Sequence, residues 1–233
     1  MDRRAAKSAN LIRLGGRSIE YRFVRRRRRT LGITVDADGL KVSAPLRAPW
    51  RDIEGFVRDK ERWILAKLDE WAVAPRPTVL RGVSGERLPL FGDTVALERR
   101  EGPVRREGNK LLVSGLESLV KWLKGAALEA LRPRAAYYAM LLGRPAPSVR
   151  LSNARTQWGV CTEDGTIRLS WRLVHIQPAL ADYVVAHEIA HLVELNHSPR
   201  FYRLLASFYP DWLAARERLE LAGAALPILK ETK

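Results

Sequence analysis

HEIAHLVELNH, His187–His197, holds three of the chain's four histidines. Upstream, PALADYVVA begins at Pro178, a residue suited to the first helical position, and no breaker follows before Leu195. The spacing therefore predicts a helix over 178–195. His187 and His191 are four residues apart, so they share one helix face a turn apart. Two imidazoles so placed can hold one Zn²⁺ at roughly 2.0–2.1 Å. Glu188 follows the first histidine, where the carboxylate of an HExxH motif serves as general base.

An open catalytic site needs three protein ligands. His197 is the candidate third ligand, but six residues past His191 it has left that helix face, so the chain must turn back. Asn196 tolerates left-handed geometry and is expected to end the helix. Ser198 and Pro199 then suit the N-cap and first position of a new helix. Asp211 and Glu217, farther along, are the alternative third ligands. Glu194 is read as an exposed side chain, a partner to a ligand, or a rival ligand. His175 stands alone before the helix and is assigned a loop or capping role.

The 233 residues are 46% apolar, enough for one large domain or two small ones. No run approaches the roughly 20 apolar residues needed to cross a bilayer. The basic N-terminus lacks a signal-peptide apolar stretch. The single cysteine, Cys161, rules out an internal disulfide. These features together point to a cytoplasmic protein with no membrane partner.

The net charge of +15 is uneven: residues 1–30 carry eleven Lys and Arg against two Asp and Glu. The run Arg25-Arg26-Arg27-Arg28-Arg29 is its centre. Such a field attracts polyanions, so nucleic acid or a nucleotide is a candidate partner. Five arginines in a β region do not form a core. Alternate ones must face outward, or the run must bridge a turn.

The chain reads as α+β. Residues 1–16 are taken as a flexible basic segment. Residues 17–115 form a β-rich region with one helix over about 49–72. Within it Ile19, Tyr21 and Phe23, then Leu31, Ile33 and Val35, then Leu40, Val42 and Ala44 alternate with period two around an Asp36–Gly39 turn. Residues 78–113 return to short strands. Residues 116–225 form the histidine-bearing domain, with Pro133 breaking or kinking a helix over 116–142 and a strand over Thr166–Leu173. Residues 226–233 are a tail. No internal repeat is evident.

RTQWGVC, TEDGTIRLSWRLV and DYVVAHEIAHLVELNHSPRFY together resemble the YgjP-like metallopeptidases, relatives of the SprT and WLM zinc proteases. The match spans about residues 150–212. The chain departs from the family pattern at Gln157, Val160, Ser170 and Tyr202, none of them a ligand position. Glu194 stands where metzincins have glycine, so the turn to His197 is made differently. The resemblance implies a minimal zincin-like domain, with a small sheet packed on the HExxH helix and an edge strand bordering the cleft. TIRLSWRLV is the candidate for that strand.

The leading expectation is a zinc-dependent peptidase acting on a peptide or protein. One catalytic Zn²⁺ sits on His187, His191 and His197, and Glu188 is the base. Tyr183, Arg168 and Tyr202 are candidates for contacting substrate or stabilising an oxyanion. The alternative is a nucleotide or nucleic-acid phosphohydrolase using the same metal, with Arg168 or Arg25–Arg29 holding phosphate. A third reading is a non-catalytic nucleic-acid-binding module with structural zinc, its fourth ligand supplied by Cys161 or a carboxylate.

Overall fold

Alternating Ile12, Leu14, Ile19 and Tyr21 build a hairpin at the start of the computed structural model, which describes residues 10–36, 38–73, 76–154 and 157–230. Strand β1 (Asn10–Leu14) pairs antiparallel with β2 (Arg17–Arg26). Gly15 and Gly16 both take positive φ, +52° and +78°, the geometry of a tight hairpin turn. The expectation of a flexible 1–16 is thus corrected for residues 10–16; residues 1–9 lie outside the described residues. Gly-Gly between two alternating stretches was the signal.

Residues 1–75 form one compact unit and 76–233 a second. In the first, β3 (Gly32–Asp36) and β4 (Gly39–Pro45) complete a four-stranded sheet of order β1-β2-β4-β3. The β2–β4 pairing is parallel and the β3–β4 pairing antiparallel. The arginine run leaves β2 at Arg26 and crosses to β3, bridging the strands as one of the two sequence options required. Helices α1 (Trp50–Asp59) and α2 (Glu61–Val73) bury Ile53, Val57 and Ile64 in this unit's core. One helix was expected here. The chain breaks at Lys60 (φ −102°, ψ 10°), where Arg58-Asp59-Lys60-Glu61-Arg62 offers no apolar side chain to hold a continuous helix on the sheet.

The second unit opens with β5 (Val79–Leu80), β6 (Arg87–Leu90), β7 (Asp93–Arg99), β8 (Arg105–Glu107) and β9 (Lys110–Val113). The last four form a sheet of order β6-β7-β9-β8, with β7 and β9 parallel. This is the same strand order and the same parallel central pair as the first unit. The sequence shows no repeat, yet the topology does. Leu88, Leu90, Val95, Leu97, Leu111 and Val113 join one core with Leu119 and Leu123 of the following helix. That shared core is why the compact unit begins at 76 rather than near 116, where β-rich character gives way to helix.

Helix α3 (Leu116–Leu141) buries Leu119, Leu123, Ala127, Leu131 and Ala135 along one stripe. Fully burying each leucine contributes roughly 1.5–3 kcal/mol. The helix continues through Pro133, so of the two expected options, a kink or a break, the break does not occur. Pro133 is exposed, so its ring and missing N–H fall on the solvated side of the helix.

Strands β10 (Val149–Ser152), β11 (Gly159–Cys161) and β12 (Ile167–Ser170) make a three-stranded sheet of order β10-β12-β11. β12 is therefore central, parallel to β10 and antiparallel to β11. The expected edge strand TIRLSWRLV is corrected: β11 takes the edge. That strand is also shorter than expected. Trp171–His175 coils into a 3-10 turn capped by the Ser170 side chain, which accepts from the Arg172 N–H at 3.4 Å. Helices α4 (Pro178–Ala190), α5 (Pro199–Phe208) and α6 (Trp212–Ala224) follow. In the supposed tail, β13 (Ile228–Leu229) pairs parallel with β5. Among the described residues, no helix is long and apolar enough to cross a membrane.

His175 is not a loop residue. It is buried, and its Nδ1–H donates to the Pro89 carbonyl at 2.8 Å, tying the 3-10 turn to β6. Burial first, and Arg172 less so, lower its pKa from 6.5 to about 4. The unfolded chain takes up this proton first. The neutral imidazole's contribution to stability is therefore present above pH 6.5 and is lost as the pH falls toward 4. Between about pH 7.5 and about pH 4.5 this group is expected to account for roughly 2–3 kcal/mol of lost stability. Urea unfolding of His175→Gln at those two pH values should show a loss smaller by that amount; an equal loss in both proteins rules the histidine out as the source.

Candidate metal centre

α4 is apolar on nearly every side, burying Leu180, Val184, Val185, Ala186 and Ile189 together with Glu188. His187 stands on its last turn. The helix ends earlier than predicted, at Ala190, with His191 as its C-cap. The chain then tightens: Leu192 N–H donates to Ile189 O at 3.0 Å and Val193 N–H to Ala190 O at 3.1 Å. Asn196 does not take positive φ, a conformation confined among described non-glycine residues to Phe91. The turn is thus made by 3-10-type hydrogen bonding rather than by a left-handed Asn196. Ser198 caps α5 by accepting from the Phe201 N–H at 3.4 Å, and Pro199 occupies its first turn, as the sequence led one to expect.

This bend returns His197 to the other two histidines. Among the described residues, His187, His191 and His197 form a group whose ligand nitrogens all lie within 4.8 Å of one another. His187 Nε2 and His197 Nε2 are 2.9 Å apart. Tetrahedral nitrogen ligands at about 2.05 Å from an ion stand roughly 3.3 Å apart, so the donor set fits a metal with small adjustments. His191 Nδ1–H donates to the Glu194 carbonyl at 3.0 Å, which fixes its tautomer and frees Nε2 as a lone-pair donor. Burial, followed by the neighbouring histidines, lowers the His187 pKa to about 3, and burial also lowers that of His191. Both rings are accordingly neutral donors at pH 7.

Phe201 is the packing hub beneath the three rings. It is fully buried, with ring centroids 4.9 Å from His187, 4.5 Å from His191 and 4.8 Å from His197. Tyr202 lies 6.2 Å from the His197 ring and stacks on Trp212 at 4.6 Å.

Glu188 is buried beside this group. Burial raises its pKa to about 7, and the Cys161 backbone N–H, donating to the carboxylate, opposes the rise. The room for it comes from Gly159. A Cβ at that position would stand 2.6 Å from Glu188 Cγ and 2.7 Å from Oε1. Trp158 O accepts from the Ser170 N–H of β12 at 2.7 Å, and the Thr162 N–H donates to Thr166 O, just ahead of β12, at 2.9 Å. The intervening alternation turns the backbone groups of Gly159 and Cys161 away from β12, toward the open side of β11.

A family model described as "YgjP-like, metallopeptidase domain" matches residues 29–222. The chain belongs to the YgjP-like metallopeptidase family. No curated protein matches it. The crystal structure of the metallopeptidase zymogen of Pyrococcus abyssi abylysin is 21% identical, covering 43% of this chain and 90% of that one, with a TM-score of 0.31. Family membership makes this chain a metallopeptidase, and the histidine group is where it could bind its metal.

Other sequence candidates fall elsewhere. Arg168 is exposed and pairs across the sheet with Val160. Alternation puts it on the face opposite Gly159 and Leu169, away from Glu188. Tyr183 is buried and meets His187 edge-on, with centroids 5.9 Å apart, so it packs behind the histidine. Asp211 and Glu217 are exposed and Cys161 and Glu194 half-buried, and all four lie outside the metal-binding group. Burial, then Glu188 and Asp164, push the Cys161 thiol pKa up, which disfavours a thiolate ligand. Arg25–Arg29 belong to the first unit. The contributions of the Glu194 carbonyl and of Gly159 went unnoticed in the sequence. A backbone carbonyl has no sequence signature, whereas the glycine beside Trp158 was visible without its reason.

Gly159→Ala is expected to displace Glu188 while leaving the histidines intact. Misplacement of about 1 Å can cost on the order of 100-fold in rate, so casein hydrolysis should fall roughly 10- to 100-fold with metal content unchanged. Wild-type activity in the alanine variant shows that Glu188 has slack.

Proposed function

We propose that this chain is a zinc peptidase in which His187, His191 and His197 hold one Zn²⁺ and Glu188 is the general base. The observation that carries this reading is the buried Glu188 carboxylate, with a pKa near 7, one residue from a convergent three-histidine donor set. Imidazole donors in a tetrahedral arrangement favour zinc among the common divalent ions. When bound, zinc supplies a Lewis acid that polarises the scissile carbonyl and acidifies water.

The protein's own residues do the remaining work. An extended peptide lies along the free edge of β11, where backbone groups of Gly159 face outward and can pair with it. This holds the scissile bond beside Glu188. A carboxylate with a pKa near pH 7 accepts a proton from the attacking water and returns it to the leaving amine in the same cycle. Phe201 and the Glu194 carbonyl hold the imidazole rings in place throughout. Three histidines without a fourth donor in the described group leave one position for water, which supports catalysis over a structural zinc. The phosphohydrolase alternative draws no support from Arg168, which faces away from Glu188.

Glu188→Gln should retain one bound zinc, measured by elemental analysis, yet lose about 10²–10⁴-fold in kcat against casein. His197→Ala should instead lose the metal. A glutamine variant with full activity eliminates the proposed base, and full metal occupancy in His197→Ala eliminates the proposed third ligand. Chelation should abolish hydrolysis, and added Zn²⁺ should restore it.

A further inference from the structure

The five-arginine run is not one feature. Arg25 folds back along the surface: its Nη1 donates to the carbonyls of Pro45, Leu46 and Ala48 at 3.1, 3.1 and 2.9 Å. It thereby gathers the acceptors of the loop between β4 and α1. Arg28 donates to the Ser43 and Thr30 hydroxyls, fastening the β2–β3 crossover to β4. The side chains of Arg26, Arg27 and Arg29 are exposed as well but, by contrast, make no ion pair or hydrogen bond to any described residue.

The topology adds to this free set. β2 and β4 run parallel, with Arg26 opposite Pro45 as their last pair. The chain therefore leaves both strands at the same end of the sheet. Arg47 follows β4 there, and Arg51 sits on the first turn of α1, both exposed and likewise unpaired among the described residues. Asp52 shares that first turn. Trp50, at the start of α1, meets Phe23 edge-on with centroids 5.0 Å apart and remains 43% exposed.

We infer that this end of the first unit's sheet binds single-stranded nucleic acid. Arg26, Arg27, Arg29, Arg47 and Arg51 contact phosphates, and Trp50 stacks on a base. Unpaired arginines supply the sequence-independent attraction to a phosphate chain. An exposed indole among them fits the face of an unstacked base, the combination that single-strand binders use. A duplex hides its base faces, and the exposed Trp50 and Leu46 together are too little apolar surface to favour a lipid bilayer. Arg25 and Arg28 hold the loops that present these groups and do not bind.

Fluorescence anisotropy of labelled oligo(dT) with the full chain, titrated over salt, tests this. About 0.7 counterions are released per single-strand phosphate contact, so five contacts predict a log–log salt slope of about −3.5. Arg26→Gln/Arg27→Gln/Arg29→Gln should lessen the slope by about 2 and keep the wild-type melting temperature. Trp50→Leu should weaken binding roughly fivefold or more. Arg25→Gln and Arg28→Gln should lower the melting temperature and, in the folded protein, leave the salt slope unchanged. No binding by the wild type overturns the inference, as does a wild-type slope in the folded triple variant. Equal or tighter binding to duplex DNA or to phosphatidylserine vesicles overturns the assignment to single strands. The readout is binding alone, so it stands apart from the outcome of the peptidase tests.

Discussion

A carboxylate moved out of water loses several kcal/mol of hydration unless something replaces it or a proton neutralises it. Glu188 is the sole carboxylate among the buried described residues, and much of the second unit is arranged around it. β11 lies close enough for the Cys161 N–H to reach the carboxylate. That approach is possible only because Gly159 has no side chain. β11 is held at this distance by β12, which β10 flanks in turn. The partial replacement of water leaves Glu188 with a pKa near 7, where a small change in surroundings moves the proton. A fully solvated glutamate would stay ionised, and one with several donors would be a poor base.

The histidines obey a different constraint. Two ride on α4 and need only helical spacing. The third must be brought back over them, and the chain does so in a tightened 3-10 turn followed by the Ser198-capped start of α5. Phe201, three residues into that helix, fills the space under all three rings. One side chain therefore sets the floor of the donor set, and the Glu194 carbonyl sets the orientation of His191. Both contacts come from the segment that makes the turn, so the bend and the geometry of the histidines are one structural event.

The two four-stranded sheets illustrate how topology outlives sequence pattern. Each is two hairpins set side by side so that the second and fourth strands run parallel at the centre. In the first unit this brings two loop regions to one end and concentrates arginines there. In the second, the equivalent sheet shares its core with α3, the helix against which the sheet-and-helix core of the metal-binding domain is built. The same strand order serves charge presentation in one unit and scaffolding in the other.

Local chemistry in the sequence determined a good deal by itself. HExxH spacing put two imidazoles on one helix face, Ser198-Pro199 marked a helix start, and period-two alternation announced β2, β3 and β4. The motifs around Trp158, Arg168 and His187 were sufficient to suggest the family. These are short-range properties, set by the 3.6 and 2.0 residue periods and by caps. Tertiary structure alone decided what depends on distant partners. Gly159 proved to be the space for Glu188, β11 rather than β12 took the edge, and His175 became a core latch to Pro89. Arg25 and Arg28 were separated from Arg26, Arg27 and Arg29 within one uniform run. The physical reason is common to all of these: which atoms are buried, and which backbone groups are already paired, depends on chain segments far away in sequence, and no local pattern records them.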